Sequence, residues 1–254
     1  MKIGLIASAY NAEDFLHECL EAWRKFKNSS KHTLVCSFIH NCFKENGKLG
    51  YPLESQDRTH KLLEEEYKSG FLDYYNFSDK NLTEAEARTV CLKDVIKDEV
   101  DYVWTIGLDE IYSTQDIENI LSFVEFNSYI DWFKINYKNY VFDGDQWVDG
   151  FCPPRIFKVK SHGGLKELYY DDDFIYADGT DYKSAPHLEV PKSIAHVRHM
   201  TWLHSNGKSK VEYQKKRWGE EGCSYSWNYD KNELEFNKNF YTKKNLPLPT
   251  LNTN

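Results

Sequence analysis

The sequence predicts one α/β domain in which a mostly parallel sheet is flanked by helices. The first observation is a set of short apolar runs at residues 2–9, 33–40, 71–77 and 101–108. Continuous apolar runs of this length are typical of parallel strands that are buried on both faces. The second observation is that helical patterns separate these runs, and strands that alternate with helices indicate right-handed crossovers in a parallel sheet.

The composition limits the classes of function. The chain has 254 residues, of which 41% are hydrophobic, which is enough for a sizeable core. Its net charge of -8 and the lack of a basic cluster argue against nucleic-acid binding. Six cysteines without a CxxC pair argue against a zinc knuckle and suit a reducing compartment. We expect a soluble, cytoplasmic protein, since no apolar stretch reaches the length of a signal sequence or membrane span.

Helix starts follow from capping residues. Asn11 is the predicted N-cap of the first helix, whose inward face carries apolar residues at three- and four-residue steps, such as Leu16 and Trp23. A polar helix is predicted over 55–69, with Leu62, Leu63 and Tyr67 facing inward. Thr83 and Glu86 have capping-box spacing at the start of the next helix. Thr114 is expected to cap a helix over about 115–126.

The pattern changes after residue 128. Residues 129–142 alternate apolar and polar side chains, which predicts antiparallel strands. Strands are also predicted at Arg155 to Val159 and over 193–203, and long loops over 161–186. A basic helix is expected over about 208–218. We therefore predict one domain over 1–230, with a nucleotide-binding half (1–110), an acceptor half (111–230), and an arm or tail over 231–254.

Several polar residues follow directly after predicted strands. They are Ala9-Tyr10-Asn11, His40-Asn41 and Asp109-Glu110. Ligands of open α/β sheets bind outside the carboxyl ends of the strands. These three groups are therefore expected at one edge, where they would form a binding site.

Five segments, in order, resemble family-2-type glycosyltransferases. IASAYNAEDFLHECLEAW is similar to the opening of that family, Glu86-Ala87-Arg88 to its Ala-Arg segment, and DYVWTIGLDEIYS to the strand before its acidic metal-binding motif. PPRIFKV and IAHVRHMTWL are similar to strands of the acceptor half. The resemblance covers about the first 220 residues. It implies a GT-A fold, a nucleotide-sugar donor, and a glycan or other hydroxyl acceptor.

The acidic motif departs from the family pattern. Where the family commonly has Asp-any-Asp-Glu, this chain reads Gly107-Leu108-Asp109-Glu110. The resemblance makes Asp109 the first candidate catalytic residue and the candidate ligand of Mn²⁺ or Mg²⁺, ions that would neutralise the diphosphate. Glu110 is a further candidate ligand, with pairing to Arg88 as the alternative.

The late histidines are also candidate metal ligands. His196 and His199 lie three residues apart, so on a regular strand they would face opposite sides, and only one would face the site. The position of His196 in the motif slightly favours it.

Other residues are candidates for the donor and for proton transfer. Ala9, Tyr10, Asn11, Asn41 and Arg88 are expected to contact the nucleotide sugar, with turn, cap and surface-charge roles as the alternatives. An inverting transferase needs a general base. The candidates are Asp143, Asp145 and Asp149, or the cluster Asp171-Asp172-Asp173. The sequence does not choose between inversion and retention.

Two other classes of function stay open. The missing first Asp suits a nucleotide-sugar-binding or carbohydrate-binding module that has lost catalysis. A nucleotidyltransferase-like enzyme would also place acids at strand ends, but such enzymes typically carry a Gly-rich loop where this chain has Ala7-Ser8-Ala9-Tyr10. The chain contains no GxGxxG, P-loop or GxSxG sequence, which argues against dinucleotide oxidoreductases, P-loop NTPases and α/β-hydrolases.

Overall fold

The protein consists of two compact units. A computed structural model describes residues 1–141, 144–170, 173–203, 207–219, 222–228, 230–231 and 233–253. The first unit is Met1–Asn136 with Cys152–Val197, and the second is Tyr137–Phe151 with Arg198–Asn254. This division differs from the predicted halves and tail.

The first unit contains a seven-stranded, mostly parallel sheet, which confirms the predicted fold class. Its first four strands are β1 (Lys2–Ala9), β2 (Thr33–His40), β3 (Tyr74–Phe77) and β4 (Tyr102–Thr105). The remaining strands are β6 (Trp132–Lys134), β9 (Pro154–Lys158) and β12 (His187–Glu189). The strand order is β12-β6-β9-β4-β1-β2-β3, and β9 runs antiparallel to both of its neighbours.

The described part of this unit contains five α-helices. They are α1 (Glu13–Ser29), α2 (Lys44–Lys48), α3 (Thr59–Lys68), α4 (Glu84–Lys97) and α5 (Thr114–Phe126). Helix α4 packs closely on β1, since a Cβ at Gly4 would lie 2.8 Å from Cβ of Val95. On α1, the ring of Trp23 lies edge-on to Trp104 of β4, with 4.9 Å between the ring centroids. Leu16 and Trp23 of α1 are buried as predicted, and the α4 residues such as Val95 belong to a core cluster that does not include Trp23.

Local interactions decide where the helices begin. The capping box of Thr83 and Glu86 is confirmed. The predictions for Asn11 and Thr114 are wrong, because Ala12 and Ser113 hold the N-cap positions, and Ser113 forms a second capping box with Asp116. Tyr67, predicted to face inward, is 50% exposed.

Two further segments differ from the sequence prediction. The region expected to be loops contains an antiparallel hairpin of β10 (Leu165–Tyr170) and β11 (Asp173–Tyr176). The strand expected over 193–203 is shorter, because β13 covers only Val197–His199.

The second unit combines strands and two helices. Its hairpin of β7 (Tyr137–Val141) and β8 (Gln146–Phe151) confirms antiparallel pairing after residue 128. Residues 231–254, the predicted arm or tail, contain paired strands: β15 (Glu233–Phe236) pairs with β14 (Tyr225–Asn228), and β16 (Asn252–Thr253) pairs with β8. The other elements are α6 (Gly207–Trp218) and α7 (Lys238–Lys243).

All six cysteines are free thiols. Five of them are buried, and Cys152 is half-buried. Burial raises the pKa of the Cys91 thiol to about 12 and that of Cys152 to about 11.

None of the helices in the described ranges is both long enough and apolar enough to cross a membrane.

Candidate functional site

The candidate site lies where the strand order of the seven-stranded sheet reverses. Strand β1 has β2 on one side and β4 on the other, and all three are parallel. Ala9 at the end of β1 is in register with His40 at the end of β2. The crevice outside the carboxyl ends of strands at such a reversal is the usual ligand site of open α/β sheets. The segments after Ala9, His40 and Thr105 all leave the sheet at this edge.

The turn after β1 is fastened to the segment before α3. Asn11 has a left-handed backbone with φ 47°, and its Oδ1 accepts a hydrogen bond from the backbone of Gln56 at 2.9 Å. Its backbone N–H donates to Oγ of Ser55 at 3.0 Å. Ala12 donates to Oγ1 of Thr59 at 2.7 Å. Asn11 therefore shapes the turn, and Ser55 and Thr59 are site-supporting residues that no sequence pattern indicated.

Tyr10 is held in a fixed position at this edge. Its hydroxyl donates to the carbonyl of Pro52 at 2.7 Å, and its ring centroid lies 6.1 Å from that of His40. Burial, followed by the hydrogen bond with Cys42, raises the pKa of the Tyr10 phenol well above its usual value. The phenol thus stays neutral at physiological pH and offers a ring face rather than a charge.

His40 is fully buried beside Tyr10. Its Nε2 accepts from the backbone N–H of Ser55 at 3.2 Å and lies 2.8 Å from the Ser55 hydroxyl. Its ring stacks on Phe77, with 5.1 Å between the centroids. Burial lowers the pKa of His40 to about 4, so the imidazole is neutral at pH 7.

Asn41 fixes a neighbouring loop. Its Nδ2 donates to the carbonyl of Leu82 at 3.2 Å, and its Oδ1 accepts from the Leu82 N–H at 3.1 Å. Because Leu82 immediately precedes the cap of α4, this paired amide sets where α4 begins. The side chain predicted to contact the donor is therefore engaged with the protein backbone.

Arg88 lies on the second turn of α4. It is 4% exposed, and its Nη2 forms an ion pair with Oε1 of Glu84 at 2.7 Å. The surface-charge alternative for Arg88 is thus wrong, because the side chain is buried.

The acidic motif follows β4, with Asp109 before the two-residue strand β5 (Glu110–Ile111). Asp109 is half-buried, whereas Glu110 is 1% exposed. Oε1 of Glu110 accepts from Arg155 Nη2 at 2.7 Å and from its Nε at 3.1 Å, and Oε2 accepts from the Tyr112 hydroxyl at 3.0 Å. Both carboxylate oxygens of Glu110 are therefore used in holding the loop, and Asp109 is the more accessible acid.

Gly107 lies against the carboxylates of the two acidic residues that follow Leu108. A Cβ at this position would lie 2.8 Å from Oδ1 of Asp109 and 3.0 Å from Oε1 of Glu110. Real Cβ atoms essentially never approach within 3.0 Å of another heavy atom. The carboxylates of the next two acidic residues thus fill the space that a side chain would need.

The predicted histidine ligands belong to different units. His196, half-buried, lies in the first unit before β13 begins, so the alternation expected of a regular strand does not apply to it. His199 lies in the second unit, where its Nδ1 donates to Oδ1 of Asn139 at 2.6 Å. Its ring stacks on Phe151 at 5.2 Å. A carbonyl partner on Nδ1 leaves Nε2 as the acceptor nitrogen, which is the state that metal ligation requires.

Of the predicted general bases, Asp173 is the one that lies both in the first unit and among the described residues. Asp145 is in the turn between β7 and β8, Asp149 is on β8, and both are exposed in the second unit. Asp143, Asp171 and Asp172 lie outside the described residues. Asp173 forms an ion pair with Lys183 at 2.6 Å.

The described residues do not by themselves form a complete site for a divalent cation. In the described part of the chain, no three His, Cys, Asp or Glu side chains are grouped closely enough to hold a metal ion. Mg²⁺ is commonly held by one or two carboxylates together with substrate phosphates. Asp109, with its partly exposed carboxylate, fits the role of such a single protein ligand.

Comparison with solved structures identifies the fold. A crystal structure of residues 1–349 of S. aureus TarS superposes on 88% of this chain and 70% of its own, with a TM-score of 0.52 and 13% identity. The chain has a GT-A-like fold. No family model and no curated protein sequence matches it.

Structures of the same TarS fragment with bound ligands match a smaller part of this chain than the structure without a ligand does. The structures with UDP and with UDP-GlcNAc cover 55% of this chain at 18% and 19% identity, with TM-scores of 0.40 and 0.39. The chain spans about a third of these two structures and 22% of the longer TarS structure.

Proposed function

We propose that this protein is a glycosyltransferase that moves a sugar from a nucleotide-sugar donor to a hydroxyl acceptor such as a glycan. The observation that carries the proposal is the position of Asp109. Its carboxylate follows β4, beside β1, where the order of the sheet reverses. The GT-A-like fold supports this choice among the α/β enzymes, and the chemistry of the site supplies the rest.

The first unit would bind the donor. The ring of Tyr10 offers a rigid apolar surface at the end of β1, and the buried Arg88 supplies a guanidinium close to the start of α4. A guanidinium can bind a diphosphate through two parallel hydrogen bonds. Asn11 and Asn41 would act indirectly, because their side chains hold the turn and the loop that surround the crevice.

Asp109 would hold the cation that accompanies the diphosphate. A bound Mg²⁺ or Mn²⁺ neutralises the charge that develops on the leaving phosphate when the sugar bond breaks. Glu110 would keep Asp109 in place through its bonds with Arg155 and Tyr112. His199 is the better prepared of the two histidines for a ligand role, because Asn139 fixes its tautomer.

The acceptor would be activated by a carboxylate. A general base must take the proton of the attacking hydroxyl if the reaction inverts the sugar. Asp145 and Asp149 are the described candidates from the predicted set. The six free cysteines support a reducing compartment, so we place the reaction in the cytoplasm.

A nucleotide screen with matched variants tests the proposal. Ligands that bind the native state raise its stability, by about 2.7 kcal/mol at a hundred times the dissociation constant. UDP is the first nucleotide to test, because TarS has been crystallised with it. GDP, CMP and dTDP complete the panel, each with and without Mn²⁺. We expect one nucleotide to raise the Tm only with the metal, and Asp109→Asn to remove that dependence.

The control for this variant is Glu118→Gln. Glu118 lies on α5, and its charge acts on His32, which precedes β2 at the opposite edge of the sheet. This variant should retain the metal-dependent shift and the sugar transfer. Transfer that is unchanged in Asp109→Asn would refute the site.

The binding-module alternative rests on Gly107, the missing first acid. Nucleotide binding without sugar transfer or donor hydrolysis, across a panel of nucleotide sugars, would favour that alternative over a transferase. A nucleotide triphosphate that is consumed with release of pyrophosphate would instead favour the nucleotidyltransferase class.

A further inference from the structure

One edge of the seven-stranded sheet carries exposed aromatic rings. Strand β3 is the last strand in the sheet order, and among the described strands it pairs with β2 alone. Phe77 at the end of β3 is 47% exposed, and Tyr67 on the neighbouring helix α3 is 50% exposed. Exposed apolar side chains that cluster in this way mark interaction sites.

The rings lie on one face of the sheet. Tyr75 and Phe77 are two residues apart on β3, so their side chains point to the same face. Tyr67 joins them from α3, with its ring centroid 6.3 Å from that of Tyr75. The side chains of Tyr74 and Asn76 lie on the other face, toward α4. We call Tyr67, Tyr75 and Phe77 the aromatic platform.

Contacts with two histidines hold the aromatic platform in place. The ring of Phe77 is parallel to the buried ring of His40, with an interplanar angle of 2°. The Tyr75 hydroxyl lies 2.7 Å from Nδ1 of His60, whose Nε2 lies 3.4 Å from Oε1 of Glu64. Because these rings are already fixed, little side-chain entropy is lost when a ligand packs on them.

The charges beside the aromatic platform are mostly negative. Burial, followed by the charges of Glu64 and Glu54, raises the pKa of the Tyr75 phenol well above its usual value, so this phenol is neutral at pH 7. Lys68 pairs with Glu64 at 3.1 Å, and the charges of these three residues sum to -1. A negative surface disfavours phosphates, and Glu is depleted from the centres of protein–protein interfaces. A neutral ligand with many hydroxyls suits these surroundings better.

We propose that the aromatic platform binds a neutral glycan. A pyranose ring has an apolar face of C–H groups that packs on aromatic rings, and its hydroxyls donate to carboxylates. Phe77 is in register with His40, which is in register with Ala9, so the platform begins at the edge that carries the donor site. Glycan binding rests on the platform alone. Its role, which is to hold an acceptor glycan near the donor, rests on the proposed glycosyltransferase function.

The test measures binding of maltohexaose, cellohexaose and chitohexaose to the full chain by isothermal titration calorimetry. The platform variant, Tyr67→Leu with Phe77→Leu, removes two flat rings and keeps apolar side chains. The matched control is Phe126→Leu with Tyr129→Leu, whose rings are 85% and 72% exposed at the end of α5 and just beyond it. We expect one or more of these glycans to bind, about tenfold more weakly in the platform variant and equally well in the control.

Three results would overturn the glycan site. The first is that none of the three glycans binds, or that the platform variant binds them as well as the wild type does. The second is dimerisation in analytical ultracentrifugation that the platform variant abolishes, without glycan binding, which would assign the platform to a second copy of the chain. The third is a UDP-dependent Tm shift that Phe77→Leu abolishes, without glycan binding, which would assign this ring to the nucleobase.

Single variants keep the test decisive if the double variant does not fold. Tyr67→Leu and Tyr129→Leu then give the matched comparison. Phe77→Trp keeps a flat ring and should bind the glycan at least as tightly as the wild type does, which a purely structural role of Phe77 does not predict. Tyr67→Leu should keep the UDP-dependent Tm shift of the wild type, which reports on the donor site. Glycan binding without any nucleotide shift would retain the platform and remove its acceptor role.

Discussion

The ion pair of Glu110 and Arg155 is the most consequential side-chain contact of the candidate site. Both side chains are almost fully buried, at 1% and 5% exposure. Removing one partner of a buried pair leaves a charge without compensation, which typically costs about 3–5 kcal/mol. We expect Arg155→Met to lower the free energy of unfolding by about this amount in urea titrations.

The exposed pair of Arg58 and Glu13 provides the control. Its side chains are 67% and 30% exposed, and exposed pairs contribute about 0–1 kcal/mol. Arg58→Met should therefore change the unfolding free energy by less than about 1 kcal/mol. Similar losses in the two variants would contradict the structural role of Arg155.

Gly107 allows a second prediction about single residues. Gly107→Asp restores the family's acidic pattern, yet its Cβ would meet the Asp109 carboxylate at 2.8 Å. Overpacking of this kind costs about 1–3 kcal/mol, and a third carboxylate adds repulsion. We expect a lower Tm and a weaker metal-dependent nucleotide shift, with Gly107→Ala separating the steric part. A metal-dependent nucleotide shift that is larger in Gly107→Asp than in the wild type would contradict this expectation. It would show that a second carboxylate helps Asp109 to bind the metal and that the site has room for it.

His40 predicts how stability depends on pH. Its pKa falls from about 6.5 in the unfolded chain to about 4 in the folded protein because of burial. The unfolded state therefore takes up a proton first, and a contribution of about 3.4 kcal/mol to stability is present above pH 6.5 and is lost as the pH falls to 4. Unfolding titrations of His40→Gln should show a flatter pH dependence over this window. The exposed His17→Gln should keep the wild-type slope, and a wild-type slope in both variants would disprove the assignment.

At the scale of elements, two capping boxes begin α4 and α5. Thr83 Oγ1 accepts from the Glu86 N–H at 3.1 Å, and Ser113 Oγ accepts from the Asp116 N–H at 3.0 Å. Loss of such a cap costs about 0.5–2 kcal/mol. We expect Thr83→Ala and Ser113→Ala to destabilise the protein equally in thermal unfolding.

Nucleotide binding should distinguish the two caps. Thr83 follows Leu82, whose backbone Asn41 holds at the candidate site, so Thr83→Ala should weaken the nucleotide shift more than Ser113→Ala does. Equal nucleotide shifts in Thr83→Ala and Ser113→Ala would show that the start of α4 does not affect donor binding.

The elements that the sequence predicted best are those whose signal is local. Strands β1 and β2 have the predicted bounds, because continuous apolar residues need burial on both faces wherever the strand lies. The Thr83 capping box is also local. The first N-cap failed because Asn11 binds a segment 45 residues away, which no local pattern encodes.

In the candidate site, too, the local features could be predicted from the sequence and the long-range contacts could not. Its location at the carboxyl edge follows from the alternation of strands and helices, and Asp109, Tyr10 and Asn41 could be named from their positions after strands. The partner of Glu110 could not, because Arg155 reaches it through a β9 strand that pairs antiparallel to β4. Pairing across 45 residues depends on the sheet as a whole.

At the scale of the whole molecule, the two units do not follow the order of the chain. Each unit contains two separate stretches of chain, so its boundary is set by which strands pair. Residues 137–151 join the second unit because β8 pairs with β16, more than a hundred residues later. A boundary of this kind has no compositional signal, and the nucleotide-binding half (1–110) and the acceptor half (111–230) stay a prediction.

The free thiols bear on how the protein can be handled. Thiolate, rather than thiol, is the form that reacts with oxidants and alkylating reagents. With a pKa of about 11 for Cys152 and about 12 for Cys91, few thiolates exist at neutral pH. The thiols of the purified protein should therefore stay reduced in air, without dithiothreitol. Manganese titrations can then be run in buffers that contain no competing sulfur chelator.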